Sequence, residues 1–148
     1  FAITKKDREM FREALKRFDM GLEDRMATKI GLLSGGQRQV VTLLMSTIVT
    51  PKLLLLDEHT AALDPATAEK VLAITNDIVR ERNLTTLMIT HNMGQALTTG
   101  SRTIMLDSGA IIFDIKEEER EHMTVSDLLD MYSEKKKEEF DNDRILLS

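Results

Sequence analysis

The sequence predicts an α/β fold with a mostly parallel sheet flanked by helices. Four consecutive leucines at 53–56, closed by two carboxylates, are typical of a strand buried on both faces in a parallel sheet. A second apolar run at 84–90 follows a helical segment, as strand–helix–strand units require. A third run at 103–106 passes through a Ser-Gly turn into residues 111–115, which predicts an antiparallel hairpin.

The composition limits the class of protein. A chain of 148 residues can form one domain with a sizeable core. The absence of cysteine excludes disulfides and thiol chemistry, and a net charge of −5 argues against nucleic acid as a main partner. No apolar run approaches the length of a membrane span. Because the chain begins with Phe1 on an amphipathic helix, we expect a fragment of a longer protein.

Residues 1–50 are predicted to form a helical subdomain. Thr4, followed three residues later by Asp7, predicts an N-cap. An apolar stripe at helical spacing then runs through Met10, Phe11, Ala14, Leu15 and Phe18, and Gly21 is the predicted stop. In the mixed segment 19–32, the expected anchors are Met26, Ile30 and Leu32. Ser34 is a second candidate N-cap, for a helix at 38–49 that is apolar on most sides and therefore expected to be sandwiched.

Residues 51–115 are predicted to form the α/β core. A loop at 59–63 follows the leucine strand, and Asp64-Pro65 predicts a helix with Asp as the cap and Pro at the first helical position. The predicted inner face of this helix comprises Ala68, Val71, Leu72, Thr75, Ile78 and Val79. The next strand ends at His91, and a short helix is expected at 93–97.

Residues 116–148 are predicted to form a C-terminal helix and a charged tail. The segment 117–121 has too many charges to be expected in a core, whereas Thr124 and Asp127 predict a cap for a last helix. Val125, Leu128, Leu129 and Tyr132 are the side chains expected to dock. Acids beside Lys135-Lys136-Lys137 offset a basic patch, so a solvated helix end or a disordered tail is expected over 134–143.

The segment Leu33-Ser34-Gly35-Gly36-Gln37 has the composition of a phosphate site. Two glycines allow a ligand to approach the backbone, and the N–H groups of a helix start attract anions. The Ser34 hydroxyl adds a donor at the same point. The alternative interpretation is an ordinary Ser-capped helix with a glycine-rich first turn.

Asp57 and Glu58 follow the leucine strand directly. Ligands of open α/β folds bind at the carboxyl ends of the strands, so these carboxylates could hold a phosphate-bound magnesium and an attacking water. The alternative is an acidic surface turn. His91 occupies the equivalent place after the next strand, where a histidine can also be purely structural.

In these motifs the sequence resembles the ATP-binding-cassette (ABC) ATPases, over roughly residues 1–115. Leu33–Gln37 is similar to their signature loop, Leu53–Asp57 to their Walker B strand and Ala62–Asp64 to their D-loop. Glu58 stands where the family has its catalytic glutamate, and His91 resembles its switch histidine. The resemblance implies a P-loop NTPase-like fold with a partial ABC helical subdomain.

The resemblance also implies a chemistry and a set of partners. ATP and Mg²⁺ would be the cofactors, with Asp57 holding Mg²⁺ through water, Glu58 activating the attacking water and His91 contacting the γ-phosphate. The residues implied in nucleotide binding are Ser34, Gly35, Gly36, Gln37 and Asp64. The implied partners are a second ATPase subunit in a head-to-tail dimer and transmembrane permease subunits at the cytoplasmic face of the membrane. The sequence of residues 59–65 is similar to that of ATPase subunits of bacterial importers for amino-acid-like solutes.

The sequence departs from the family pattern in three places. It contains no G-x-x-x-x-G-K-[ST] loop and no upstream coupling glutamine, so the chain alone is expected to bind ATP weakly. His59 stands where the family commonly has proline, and we expect it to have no catalytic part. Two other functions stay open: a soluble ABC-type ATPase acting on DNA or ribosomes, and a non-catalytic module that only supplies the signature loop.

Overall fold

A computed structural model describes the backbone of residues 3–146 and the side chains of residues 3–137. The chain divides into two compact units, Phe1–Ile89 and Thr90–Ser148, and each is described separately below. The predicted boundaries at 50 and 115 stay predictions. Phe1, on which the expectation of a fragment depended, lies outside the described residues.

The first unit is a set of helices around one parallel strand pair. Its elements in chain order are α1 (Lys5–Lys16), a short 3₁₀ turn (Ile30–Leu32), α2 (Gly35–Thr47), β1 (Leu54–Asp57), α3 (Pro65–Glu81) and β2 (Thr86–Ile89). The strands β1 and β2 pair in parallel, from Leu54 opposite Thr86 to Asp57 opposite Ile89. The predicted strand–helix–strand unit is therefore confirmed.

Local hydrogen bonds determine where the helices of this unit begin. The Thr4 hydroxyl accepts from the Asp7 N–H at 3.2 Å, and the Asp7 carboxylate accepts from the Thr4 N–H at 2.9 Å, which is a reciprocal capping box. The Asp64 carboxylate accepts from the Thr67 N–H at 3.1 Å at the start of α3. Each of these starts is the one that the sequence predicts.

The core of the first unit lies between α2, α3 and one face of the strand pair. Its buried members are Phe18, Leu22, Leu33, Val40, Leu43, Leu54, Val71, Ile74, Ile78 and Leu84. Val40 of α2 and Val71 of α3 are both 0% exposed, because the two helices pack directly against each other. Burying an aliphatic side chain of this size contributes about 1.5–3 kcal/mol.

Three expectations about burial in this unit are wrong. Leu54 is 5% exposed but Leu55 is 65% exposed, so β1 is buried on one face only. The reason is that the described helices of the unit cover the Leu54 face, while Leu55 pairs with the exposed Leu87 on the other face. The helix α2 is likewise exposed on the side of Met45. In segment 19–32 the side chain buried in the core is Leu22, whereas Met26, Ile30 and Leu32 are exposed.

The second unit is an antiparallel hairpin with three helices. Its elements are α4 (Met93–Thr98), β3 (Arg102–Asp107), β4 (Ala110–Lys116), α5 (Glu117–Arg120) and α6 (Val125–Leu146). The hairpin turn has positive φ angles of 49° at Ser108 and 83° at Gly109, as expected for a tight two-residue connection. The strands of the described chain thus form one parallel pair and one antiparallel pair.

Two segments of the second unit differ from expectation. The acidic segment 117–121 was expected not to pack, yet it forms α5, and Arg120 is 7% exposed. The expectation is wrong because the Arg120 guanidinium finds backbone carbonyls at the end of α4. In α6, Leu128 is buried as expected, but Val125 and Leu129 are exposed.

His59, in the loop after β1, is tied to α3. Its Nε2 lies 3.1 Å from the Thr75 hydroxyl, which itself donates to the Val71 carbonyl at 2.8 Å. The hydroxyl therefore accepts from a neutral imidazole N–H. Burial lowers the pKa of His59 from its ordinary value of 6.5, because the charged ring would lose solvation.

This lowered pKa predicts an acid-sensitive stability. Below pH 6.5 the unfolded chain takes up the proton before the folded chain does, so the free energy of unfolding falls as the pH drops through this window. The slope for one such group is at most about 1.4 kcal/mol per pH unit. We expect His59→Gln to flatten the slope in urea titrations between pH 7 and pH 5. Equal slopes in the two proteins would contradict this.

Candidate functional site

The segment Leu33–Gln37 forms the first turn of α2 and is held by its own side chains. The Ser34 hydroxyl accepts from the Gln37 N–H at 3.2 Å, and the Gln37 Oε1 accepts from the Ser34 N–H at 3.0 Å. The Gln37 Nε2 donates to the Met20 carbonyl at 2.8 Å. The Gln37 amide therefore fixes this turn against the chain that follows α1.

The two glycines of this segment face α3. A Cβ built at Gly36 would lie 2.3 Å from the Thr67 Cγ2, and one at Gly35 would lie 3.0 Å from the Leu63 Cδ2. Packing thus gives a reason for glycine that the sequence did not suggest, since the expectation rested on the approach of a ligand. Whether the two glycines also contact nucleotide stays a prediction.

Beside this turn lies an open depression of about 370 Å³. It is lined by Asp19, Met20, Ser34, Gln37, Ala66, Thr67 and Lys70. The Lys70 Nζ lies 3.2 Å from the Asp19 carboxylate and 2.5 Å from the Asp19 carbonyl. A helix start beside a lysine favours an anion, although Asp19 offsets part of the positive charge. The sequence analysis did not place Lys70 at this site. Only its position in the second turn of α3 could have indicated that it lines the depression.

Asp64 and the preceding loop adjoin the same turn. The carboxylate of Asp64 caps α3, and hydrogen bonds from the Thr67 side chain and backbone lower its pKa below the ordinary 3.8. Leu63, next to Asp64, provides the atom that approaches Gly35 most closely. The structure therefore places the loop that precedes Asp64 beside the turn formed by Ser34, Gly35, Gly36 and Gln37.

Asp57 and Glu58 lie exposed at the carboxyl end of β1. The Glu58 N–H donates to the Ile89 carbonyl at 3.0 Å, which extends the strand pairing by one bond. At Glu58 the backbone turns into the left-handed region, with φ of 43°. This conformation costs a residue other than glycine on the order of 1 kcal/mol, and such strain is typical of functional positions.

The donor set at this strand end fits a magnesium ion that arrives with a nucleotide. Mg²⁺ is usually held by one or two carboxylates together with substrate phosphates and water, and Asp57 and Glu58 are adjacent carboxylates. Among the described residues, no cluster of three or more His, Asp or Glu side chains could hold a metal ion. A site built from protein ligands alone is therefore not indicated in this part of the chain.

His91 belongs to the second unit and is exposed in the loop before α4. Its two neighbours are fixed by a small network. The Thr90 hydroxyl donates to the Gln95 Oε1 and accepts from the Asn92 N–H, both at 3.0 Å. The Asn92 Oδ1 caps α4 by accepting from the Gln95 N–H at 3.0 Å.

Comparison with known proteins gives consistent matches. A family model described as ABC transporter matches residues 3–61. A tyrosine transport ATP-binding protein of Clostridioides difficile is 48% identical over 80% of this chain and 47% of its own length. A thiamine import ATP-binding protein of Salmonella paratyphi A is 42% identical over 73% of this chain and 46% of its own length. A phosphonates import ATP-binding protein of Halobacterium salinarum is 40% identical over 73% of this chain and 39% of its own length.

A solved structure agrees with the sequence matches. It is an ABC transporter in an inward-facing conformation, with a TM-score of 0.67 and 26% identity, and the match covers 88% of this chain and 50% of that one. The chain spans about half the length of the curated relatives it matches. Within residues 3–146, no helix is both long and apolar enough to cross a membrane.

The contact between Gly36 and Thr67 predicts a rescue. Gly36→Ala should lower the free energy of unfolding by about 1–3 kcal/mol, because the new methyl overlaps the Thr67 Cγ2. Adding Thr67→Ser, which removes that Cγ2 and keeps the hydroxyl, should restore most of the loss. Chemical denaturation of both variants measures the effect.

Gly31 offers a matched control, since a Cβ there has no heavy atom within 4 Å. Gly31→Ala should leave stability within about 0.5 kcal/mol of the starting protein. If Thr67→Ser fails to rescue Gly36→Ala, the overlap is not what makes glycine necessary at residue 36.

Proposed function

Because this chain belongs to the ABC transporter family, we propose that it supplies the signature loop, the catalytic carboxylates and the switch histidine of an ATPase subunit that powers solute import. The thiamine and phosphonates import proteins reported above support import, and the tyrosine protein supports transport. The tyrosine protein has the highest identity of the three. We therefore propose an amino-acid-like solute as the substrate class.

The observation that carries the proposal is the packing of Leu33–Gln37 against the start of α3. Gly36 meets Thr67 and Gly35 meets Leu63, so the signature-like turn lies against the D-loop-like segment and the start of α3 within the first unit. At Gly36 this packing leaves no room for a side chain, since a Cβ there would lie 2.3 Å from the Thr67 Cγ2. This surface presents Ser34 and Gln37 to the depression that Lys70 also lines.

The proposed reaction is hydrolysis of ATP to ADP and inorganic phosphate. Water attacks the γ-phosphorus, the bond to the bridging oxygen breaks, and that oxygen leaves with ADP. Glu58 orients the attacking water and takes its proton, which finally passes to phosphate. Asp57 would hold Mg²⁺, which would supply positive charge opposite the phosphate oxygens. His91 contacts the γ-phosphate, as the family resemblance implies.

The proposed partners follow the same resemblance. A second ATPase subunit pairs head to tail with this one, and permease subunits hold both at the cytoplasmic face of the membrane. The net charge of −5 supports a partner other than nucleic acid. We also propose that the 148-residue chain alone binds ATP weakly, since it contains no phosphate-cradling G-x-x-x-x-G-K-[ST] loop.

Replacing the proposed base should separate binding from hydrolysis. In the ATPase assembly that contains this sequence, Glu58→Gln should slow turnover roughly a hundredfold or more and leave ATP affinity nearly unchanged. The substitution keeps size and polarity but removes the charge that activates water. Steady-state phosphate release and equilibrium ATP binding measure the two effects.

Glu69, exposed near the start of α3, provides the control for this experiment. Glu69→Gln changes the charge equally and should leave turnover unchanged. An equal turnover in Glu58→Gln and the starting protein would assign the base to another residue.

A second experiment tests the shared site. Ser34→Arg and Glu58→Gln should each inactivate a homodimer, yet mixing the two proteins should restore part of the activity. In the mixed dimer, one site combines Glu58 of one subunit with Ser34 of the other, and the second site carries both lesions. Phosphate release is measured across mixing ratios. If no mixture exceeds the separate variants, the loop does not act across a dimer.

A further inference from the structure

The guanidinium of Arg120 is the most deeply placed charge in the described part of the second unit. Its Nη1 donates to the Gly100 carbonyl at 2.6 Å. Its Nη2 lies 3.0, 2.6 and 2.8 Å from the carbonyls of Ala96, Leu97 and Thr99. Together these four carbonyls form the C-terminal end of α4 and the turn that follows it.

Arg120 thus acts as a cationic C-cap for a helix that is distant in sequence. The last carbonyls of a helix have no intrahelical donors, and they carry the negative end of the helix dipole. Hydrogen bonds from a charged donor to such carbonyls belong to the strong class. Burying a guanidinium is costly, and its Nε is buried with no acceptor among the described residues, so the four carbonyl contacts must offset both costs.

The same end of α4 receives a second fixed donor. The Thr103 hydroxyl at the start of β3 donates to the Ala96 carbonyl at 2.5 Å, and Thr103 is buried. The Ala96 carbonyl therefore accepts from both Thr103 and Arg120. Two separate elements, β3 and α5, hold one end of α4.

The other end of α4 holds the loop of His91. The helix is six residues long, from Met93 to Thr98. Gln95, in its first turn, bonds to both neighbours of His91: its N–H donates to the Asn92 Oδ1 and its Oε1 accepts from the Thr90 hydroxyl. We expect a helix of fewer than two turns to move as one body, so that fixing its C-terminal end also fixes the loop at its N-terminal end.

We propose that Arg120 is a positioning residue for His91: by capping α4 it holds the loop 90–92 in the orientation from which His91 acts. The functional part of this statement rests on the proposed role of His91 in ATP hydrolysis. The structural part, from Arg120 through α4 to residues 90–92, depends only on contacts within the second unit. The resemblance to ABC ATPases gave residue 120 no role.

The structural part is tested on the 148-residue chain by NMR. Arg120→Met keeps most of the side-chain volume and removes the donors. We expect amide exchange in α4, read at Gln95 and Thr99, to accelerate about tenfold or more. We also expect the ring proton signals of His91 to shift. If both the exchange and the ring signals stay unchanged in a folded variant, the proposal is wrong.

Arg102 provides the control, since it is exposed and pairs with Asp114 across the hairpin. Arg102→Met removes the same chemical group and should leave both signals unchanged. If Arg120→Met does not fold, Arg120→Lys replaces it. A lysine has three donors on one nitrogen and cannot span the four carbonyls as the guanidinium does, so amide exchange in α4 should be faster than in the starting chain. Exchange equal to that of the starting chain would overturn the proposal.

The functional part is tested in the ATPase assembly that contains this sequence. Arg120→Met should lower kcat several-fold and change KM for ATP by less than about twofold, because the residue does not touch nucleotide. His91→Ala should lower kcat at least as much, and the double variant should lose no more than His91→Ala alone. If His91→Ala has no effect, the proposed role of His91 fails, while the NMR result still decides the structural link. Additive losses in the double variant would contradict positioning through His91.

Discussion

The close contact between the first turns of α2 and α3 is the constraint on which the first unit depends. At Gly36 the backbone comes so near Thr67 that a single methyl group would overlap it. Val40 of α2 and Val71 of α3, in the core of the same unit, are both 0% exposed. A second contact fixes the signature-like turn, since Gln37 bonds both to Ser34 and to the Met20 carbonyl. Fold and candidate site therefore share one packing contact.

The sequence predicted helix starts well because those starts are local. The caps at Thr4, Ser34 and Asp64 each use a partner three residues away, so the pattern and the interaction lie in the same short stretch. Burial was harder to predict. Leu54 and Leu55 are identical in type, yet one is buried and the other exposed. Their difference depends on which strand face α2 and α3 cover, and no pattern within the leucine run contains that information.

In the candidate site, too, features defined by a local pattern were predicted and features defined by distant contacts were not. Asp57 and Glu58 were predicted because the end of a strand is visible in sequence as the point where an apolar run stops. Lys70 and Arg120 were missed since each is defined by distant partners: Asp19 for Lys70 and the carbonyls of residues 96–100 for Arg120. A charged segment such as 117–121 predicts solvent exposure on average. Only the folded chain brings the carbonyls that make burial of one arginine favourable.

The left-handed backbone at Glu58 places the proposed catalytic base in a strained conformation, which lowers the stability of the fold. Glycine, and to a smaller degree asparagine, adopts this conformation with less strain than glutamate does. Mutant libraries enriched only for resistance to heat should therefore accumulate these residues at position 58, whereas selection for the proposed ATP hydrolysis should retain glutamate. If Glu58 is the proposed base, the most stable residue at this position differs from the one that hydrolysis needs, so stability engineering would leave the position unchanged.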